Sequence, residues 1–376
     1  MATTHVFIVD TNTFKYHLEY MFAGTGAGNN IIDFNNVSHT ALHSKTESNL
    51  VGMIADLNRI RVGDNVIFYL QQNFNQGIKE GKFYGIFKVK GRVGFLDNND
   101  VNQFLKIQLQ KSLTFRILIE PSNVYTDGVT EWEALDEISN LQSPNQMLWS
   151  LIYRKLKGNR GNTMITIYEF DGIKQLIRNK NQRITLQGND FTFNTQTQQI
   201  EVAQQTNQYL GRQTNINILP RLVDKYSRGL QFETHLQAYI LQNLENINIF
   251  QDENIEWIGN EVSCGVGMQR IDIMLSVVRN DNKVCMPIEL KSTEAYLDIT
   301  KQVQRYIDWL KQYYLPNRPS DLEPMIISRQ IQNKSQQNYL DLVQEFNTFN
   351  TQNNLRLRYI EFNVINQNIN FQEVIY

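Results

Sequence analysis

Apolar residues recur at two different spacings along the chain, and the change of spacing marks its elements. HVFIVD (5–10), DNVIFYL (64–70) and KFYGIFKVKGRV (82–93) are β-branched and aromatic runs that read as strands, the last alternating at its start. LTFRILIEPSNVY (113–125) reads as a further strand, halted near Pro121. Helices are expected over 14–22, 49–60, 143–156 and 168–180. Short strands with quick turns predict a small barrel-like mixed domain. Residues 182–203 read as two short strands around polar turns, and 204–222 are polar with little periodicity. From Ser227 the pattern changes. Leu236, Tyr239, Ile240 and Leu244 stand at helical spacing within 229–247. EWIGNEV (256–262), then strands at 269–279 and 283–293, a helix at 300–314, a strand at 324–328, a helix at 338–350 and a strand at 357–364 follow. That order predicts a compact α/β domain on a mixed sheet, so the class is α+β or α/β with no internal repeat. The expected organisation is a first domain over 1–180, a linker with short strands over 181–222 and a second domain over 223–376, which suits 376 residues.

Composition narrows what two such domains can be. Hydrophobic content of 41% and aromatic content of 11% can build packed interiors and exclude a disordered chain. A net charge of −2 sets up no global field for nucleic acid, so any such site must come from local patches. Two cysteines, Cys264 and Cys285, rule out a disulfide framework and fit a reducing cytoplasm. Five scattered histidines leave no ligand set for a zinc finger or an HNH-type nuclease. MATTHVFIVD has no basic n-region, and no run of about 18 apolar residues occurs, so neither a signal peptide nor a membrane span is expected.

The chemistry lies in MPIELKST (286–293). Strand alternation puts Glu289 and Lys291 on one face, with Ile288 and Leu290 on the other. Taken alone, such a pair is commonly a surface ion pair of little energetic weight. RIDIML, however, places Asp272 inside the preceding apolar strand, where an unpaired carboxylate is costly to bury. A hairpin from 270 to 291 would set Asp272 beside Glu289, and two adjacent carboxylates repel unless a cation sits between them. Magnesium, which typically uses one or two carboxylates plus waters and phosphate, is the simplest neutraliser. Lys291 would then orient a water, help deprotonate it, or hold a phosphate oxygen. That set performs metal-assisted phosphodiester hydrolysis. Glu233 in FETHL precedes the sheet, and Gln302 and Tyr306 stand at i, i+4 on the helix after the E-x-K strand.

D-x16-E-x-K followed by a Q-x-x-x-Y helix resembles the PD-(D/E)XK nuclease superfamily over residues 227–364, most closely its RecB-type and NucS-like branch. The resemblance implies a restriction-endonuclease-like mixed sheet flanked by helices. It implies metal ligation by Asp272, Glu289 and the carbonyl of Leu290, catalytic assistance from Lys291, and support from Glu233. Gln302 and Tyr306 would line the site, with Mg as cofactor and Mn as a substitute. Ile271 stands where the family's name has proline.

The first domain, from FIVDTNTFKYHLEYMFAGTGAGN through VGDNVIFYL and KFYGIFKVKG, resembles the PUA-like group that includes EVE and YTH domains, over residues 4–178. The resemblance implies a small barrel that flips a modified base into an aromatic pocket. Asp10, Thr11, Asn12 and Thr13 match its polar loop, Phe22 falls at a cage position where YTH domains carry Trp, and Phe95 is the candidate second cage aromatic. YRKLKGNRGN (153–162) matches the backbone-contacting segment, through Arg154, Lys155, Lys157 and Arg160. Read by residue type, Phe22 is more often a core residue than a cage wall, Asp10 a helix N-cap, and Trp132 and Trp149 core or boundary residues.

Together these readings predict a modification-dependent DNA restriction endonuclease of a prokaryotic cytoplasm. Double-stranded DNA with a modified base would be the substrate and a homodimer the form that cuts both strands. The alternatives are an endonuclease that reads unmodified sequence or aberrant DNA structure, and a non-catalytic nucleic-acid reader.

Overall fold

Residues 2–34, 44–141, 143, 161–264 and 269–376 are described in the computed structural model. The helix expected over 143–156, Trp149, and Arg154, Lys155, Lys157 and Arg160 lie outside them. Chain contacts define an N-terminal unit, residues 2–32 with 56–216, and a C-terminal unit, residues 33–55 with 217–376. The cut after Ile216 falls inside the stretch expected as a linker, and the 33–55 segment joins the unit that follows it in sequence.

The N-terminal unit runs β1 (Thr4–Val9), α1 (Thr11–Glu19) and β2 (Phe22–Thr25). After α2 (Ser44–Asn58), which contributes only its last turn here, come β3 (Asn65–Leu70), β4 (Lys82–Val89), β5 (Phe95–Leu96), α3 (Lys106–Leu109), β6 (Phe115–Pro121), β7 (Val129–Thr130) and α4 (Glu131–Asp136). Then β8 (Asn162–Ile165), α5 (Ile167–Lys180) and the pair β9 (Phe191–Asn194) and β10 (Gln199–Val202) follow. The sheet order is β2-β6-β4-β3-β1-β8, with β5 on β6 and β7 on β4. Among the described residues only β1 and β3 pair in parallel in this curled half-barrel. Its central strands are buried on both faces, which is why they read as unbroken apolar runs. Val6, Ile67 and Tyr69 pack with Ile173 and Ile177 of α5. Phe7 and Phe68 point the other way, and Phe68 meets Phe14 of α1 at 5.2 Å between ring centroids. Helices α1, α4 and α5 each open with a reciprocal capping box, at Asp10/Thr13, Thr130/Glu133 and Thr166/Glu169. Gly85 sits at φ +65° where β3 and β4 slip register, and a Cβ there would lie 2.3 Å from the Phe87 ring.

The C-terminal unit holds α6 (Leu219–Ser227), α7 (Glu233–Asn243), β11 (Ile255–Ser263), β12 (Arg270–Arg279), β13 (Asn282–Glu294) and α8 (Ile299–Trp309). It continues with β14 (Asp321–Leu322), β15 (Met325–Arg329), α9 (Gln337–Asn353), β16 (Arg358–Ile365) and β17 (Asn368–Val374). The order is β11-β12-β13-β15-β16-β17, with β14 on β13. Strands β13, β15 and β16 are parallel, joined by α8 and α9 as crossovers, while β11, β12 and β17 run antiparallel to their neighbours. Ile299, Val303 and Ile307 of α8 and Leu342, Phe346 and Phe349 of α9 pack on Ile326 and Tyr359.

Both units combine strands and helices on mixed sheets, as the α+β expectation had it. The sequence pattern did not announce β2, β8, α6 or β17. β2 and β8 are too short to show a period, β17 alternates among polar residues, and α6 carries Leu219, Leu222, Val223 and Tyr226 at helical spacing at the end of an otherwise polar stretch.

Candidate active site

A local turn sets the geometry of the C-terminal site. Asn280 and Asp281 both adopt positive φ, at 48° and 66°, between Arg279 and its cross-strand partner Asn282. A two-residue turn of that kind matches the twist of the strands it joins and locks their register. The ladder then runs unbroken to Ile273 opposite Ile288, so the next rung holds Asp272 and Glu289. There a side chain takes over from the backbone: Asp272 Oδ2 accepts from the Leu290 N–H at 2.8 Å.

Glu289 is fully buried, and both of its oxygens are engaged. Oε1 pairs with the Lys291 ammonium, and Oε2 lies 2.6 Å from the Tyr306 hydroxyl. Tyr306 Oη is also 2.8 Å from the Arg270 carbonyl, and it accepts from Gln302 Nε2 at 2.8 Å. Lys291 reaches Glu233 at the start of α7, at 3.9 Å. Glu233, Asp272, Glu289, Lys291, Gln302 and Tyr306, six residues from four elements, therefore lie together.

A seventh residue was not singled out in the sequence. Asn260 pairs with Ile273 and Val262 with Ile271, so Glu261 occupies the rung of Asp272 on its other side. Three carboxylates thus stand in a row across β11, β12 and β13. Glu261 Oε2 is held by Arg270 at 3.0 Å, and Oε1 lies 3.4 Å from Gln237 Nε2. EWIGNEV reads as an ordinary alternating strand, and only the pairing of β11 with β12 gives its second acid a meaning.

Electrostatics follow from this crowding. Burial and then the Glu289 carboxylate push the Asp272 carboxyl well above its ordinary range, against the pull of the Leu290 N–H. Burial also raises Glu233, helped by Glu289 and Glu261 and opposed by Lys291. For Lys291, burial works to release the proton, but Glu289, Glu233 and Asp272 together outweigh it and the pKa rises. Lys291 is therefore a held cation, suited to stabilising negative charge rather than to accepting a proton. That narrows the roles expected for it.

The donor chemistry fits a hard divalent ion. Asp272 and Glu289 supply oxygen on adjacent strands, and Asp272 Oδ1 has no partner among the described residues. Among those residues no three His, Cys, Asp or Glu side chains close into a metal cage. Such a set suits magnesium, which keeps most of its waters, better than calcium, which needs six to eight oxygens.

Helix α7 is anchored from an unexpected direction. Glu47 of α2 is buried among Arg221 (2.7 and 3.0 Å), Lys225 (3.4 Å) and His235 (2.8 Å). His235 stands two residues after Glu233, so this cluster fixes the start of α7.

The residues expected to form a base pocket do other work. Asp10 caps α1, accepting from the Thr13 N–H at 2.8 Å and pairing with Lys111. Thr11 is buried and donates to Gln76 Oε1 at 2.9 Å, Thr13 is buried, and Asn12 is exposed. Phe22 and Phe95 are both fully buried. Phe22 packs with Leu105, Leu109 and Leu113 beneath the Arg116 guanidinium, 5.0 Å from its ring, and Phe95 packs on Tyr209 at 5.6 Å. Neither ring has a face open to a base, because burial of a large apolar side chain outweighs what its position in the chain suggested. Trp132, expected at a core or boundary, is 60% exposed.

No family model and no curated protein matches this chain. Four solved chains do, among them these two. A hypothetical protein from Leishmania major matches over 48% of this chain and 97% of its own, at 11% identity and a TM-score of 0.29. The human THYN1 protein, solved with DNA containing 5-methylcytosine, matches over 46% and 97%, at 9% identity and a TM-score of 0.27. At TM-scores this low, neither likeness carries an argument.

Proposed function

We propose that this chain is a magnesium-dependent DNA endonuclease whose C-terminal unit cuts phosphodiester bonds while its N-terminal unit reads the DNA. The observation that carries the reading is the Asp272–Glu289 rung with Lys291 and Tyr306 upon it. Asp272, Glu289 and the Leu290 carbonyl would hold the ion, and Mn would substitute. When bound, the ion supplies Lewis acidity and lowers the pKa of a water in its shell.

The chain's own residues account for the rest. Tyr306, itself held by Gln302, fixes the orientation of Glu289. Glu289 and Glu233 hold the Lys291 ammonium at the rung, where it faces the charge that builds on the phosphate oxygens as water adds to phosphorus. Glu233, its pKa raised, is placed to carry a proton as one ester bond breaks and the departing oxygen takes one up.

For the N-terminal unit we propose recognition of a modified base, as its PUA-like order of elements implies. Phe22 and Phe95 cannot stack on that base. Open aromatic faces include Phe74, 72% exposed within the Asn73–Ile78 loop, and Trp132. Cutting both strands calls for two sites, so a homodimer belongs to the same proposal. Among the described residues no helix is long and apolar enough to cross a membrane.

The test pairs wild type with Asp272→Ala on methylated, hydroxymethylated, glucosylated and unmodified DNA, with magnesium. Cleavage of modified DNA alone, by wild type alone, is the expected result. Cleavage of all DNA by wild type alone keeps the nuclease and removes the modified-base reader. No cleavage at all would make the non-catalytic reader the better account, since Glu289 is already satisfied by Lys291 and Tyr306 without an ion.

A further inference from the structure

We infer that Arg329 is a nucleic-acid phosphate contact at the rim of the candidate active site, an assignment that rests on the nuclease reading for its substrate but not for its geometry. Arg329 is the last residue of β15, and its guanidinium carbon lies 4.2 Å from the centroid of the Tyr226 ring on α6. The side chain is half-buried and has no carboxylate partner among the described residues. A guanidinium stacked on an aromatic face is held in orientation while its N–H groups stay available, which is how arginine recognises phosphate. Three other arginines of this unit, two buried and one half-buried, are spent on acids: Arg221 on Glu47 and Asp224, Arg318 on Glu256, and Arg358 on Glu323 and Glu373. Arg329 lacks that compensation, so an anion from outside is its natural partner.

Its place in the fold says which anion. Strands β13 and β15 are parallel, with Leu290 opposite Ile327 and Glu294 opposite Arg329. Arg329 therefore emerges at the carboxyl end of the parallel strands, where open sheets bind their ligands. The register shifts between Leu290 and Glu294, where four residues of β13 face two of β15, so Lys291 and Arg329 lie toward the same end of the sheet. The stacking platform also leads back to the site: the Tyr226 ring lies 6.0 Å from that of Phe232, the residue before Glu233. The arrangement fits one phosphodiester chain running over the sheet end, with one phosphate near Lys291 and another at Arg329. Glu294, opposite Arg329, is exposed and makes no ion pair with it among the described residues.

The test is DNA binding by the full chain in EDTA, so that cutting plays no part, measured against salt for wild type, Arg329→Gln, Arg329→Lys and Asp272→Asn. The expected result for Arg329→Gln is several-fold weaker binding on every sequence, with the slope of log K against log salt shallower by about 0.9, the value of one lost phosphate contact. Arg329→Lys should restore the slope and only part of the affinity, because charge returns without the planar fork. Asp272→Asn should leave the slope unchanged. An unchanged slope in Arg329→Gln, with a thermal midpoint like wild type, overturns the inference even if the enzyme cuts DNA. A lost contact in a protein that never cuts under any condition keeps the inference and removes the nuclease. Failure of wild type to bind DNA at all overturns it, and equal competition by inorganic phosphate at matched ionic strength assigns Arg329 to free anions instead.

Discussion

Replacing Glu47 by alanine tests whether the segment 33–55 belongs to the C-terminal unit in energy as well as in contact. The carboxylate is buried and meets three cationic or basic groups from α6 and α7. Truncation leaves Arg221 with Asp224 as its remaining acid, and strips Lys225 and His235 of theirs. Breaking a buried ion pair from one side costs about 3–5 kcal/mol, because the charges left behind have lost their solvent as well. With a urea m-value of about 2 kcal/mol/M, the midpoint should fall by about 1.5–2.5 M. The assay needs a signal from this unit alone. Trp257 and Trp309 both belong to it and are buried, so fluorescence in a Trp132→Phe, Trp149→Phe background reports on it selectively. The cluster also sets a pH dependence. His235, Arg221 and Lys225 hold the Glu47 carboxyl far below its ordinary value even though burial pushes the other way. A depressed acid contributes stability that is present above its unfolded pKa, about 4.5, and is lost as the pH falls further. Glu47→Ala should therefore flatten the acid limb below pH 4.5. A midpoint shift of less than about 0.5 M, with the acid limb intact, would refute the reasoning and make 33–55 a passive covering.

Three further outcomes follow from the same structure. Tyr306→Phe removes the hydroxyl that fixes Glu289 and should lower cleavage about 10–100-fold, with little change in DNA affinity measured in EDTA. In the N-terminal unit, burial lowers the His17 pKa to about 4, so the folded state refuses a proton that the unfolded chain binds near 6.5. Its contribution of about 3 kcal/mol is complete above pH 6.5 and lost as the pH falls to 4, and His17→Gln should remove that slope from an acid titration of stability. Gly85→Ala forces a left-handed backbone on a residue with a Cβ and drives that atom into Phe87; we expect a loss of about 2–4 kcal/mol in thermal or urea unfolding.

The strands and helices were largely legible, because each is announced by a period among residues close in sequence. Expected strands at 64–70 and 269–279 appear at Asn65–Leu70 and Arg270–Arg279, and the helix expected at 338–350 lies within Gln337–Asn353. The core of the site was legible for the same reason. A two-residue period puts Glu289 and Lys291 on one face, and the structure adds the tight Asn280-Asp281 turn that carries the register back to Asp272. Short elements such as β2, four residues long, offer no period to read.

What no local pattern could supply was the choice of distant partners. Glu261 looks like any acid on an alternating strand until β11 pairs with β12 and sets it beside Asp272. Glu47 lies 174 residues from Arg221 and 188 from His235, so nothing near it in sequence foretells three basic side chains around it. Phe22 and Phe95 carry the residue type of a cage wall, yet the packing of Leu105, Arg116 and Tyr209 closes over them. The physical reason is the same in each case. Backbone sterics and alternation act between neighbours and are written residue by residue, whereas burial, desolvation and charge pairing depend on which surfaces meet once the whole chain has collapsed.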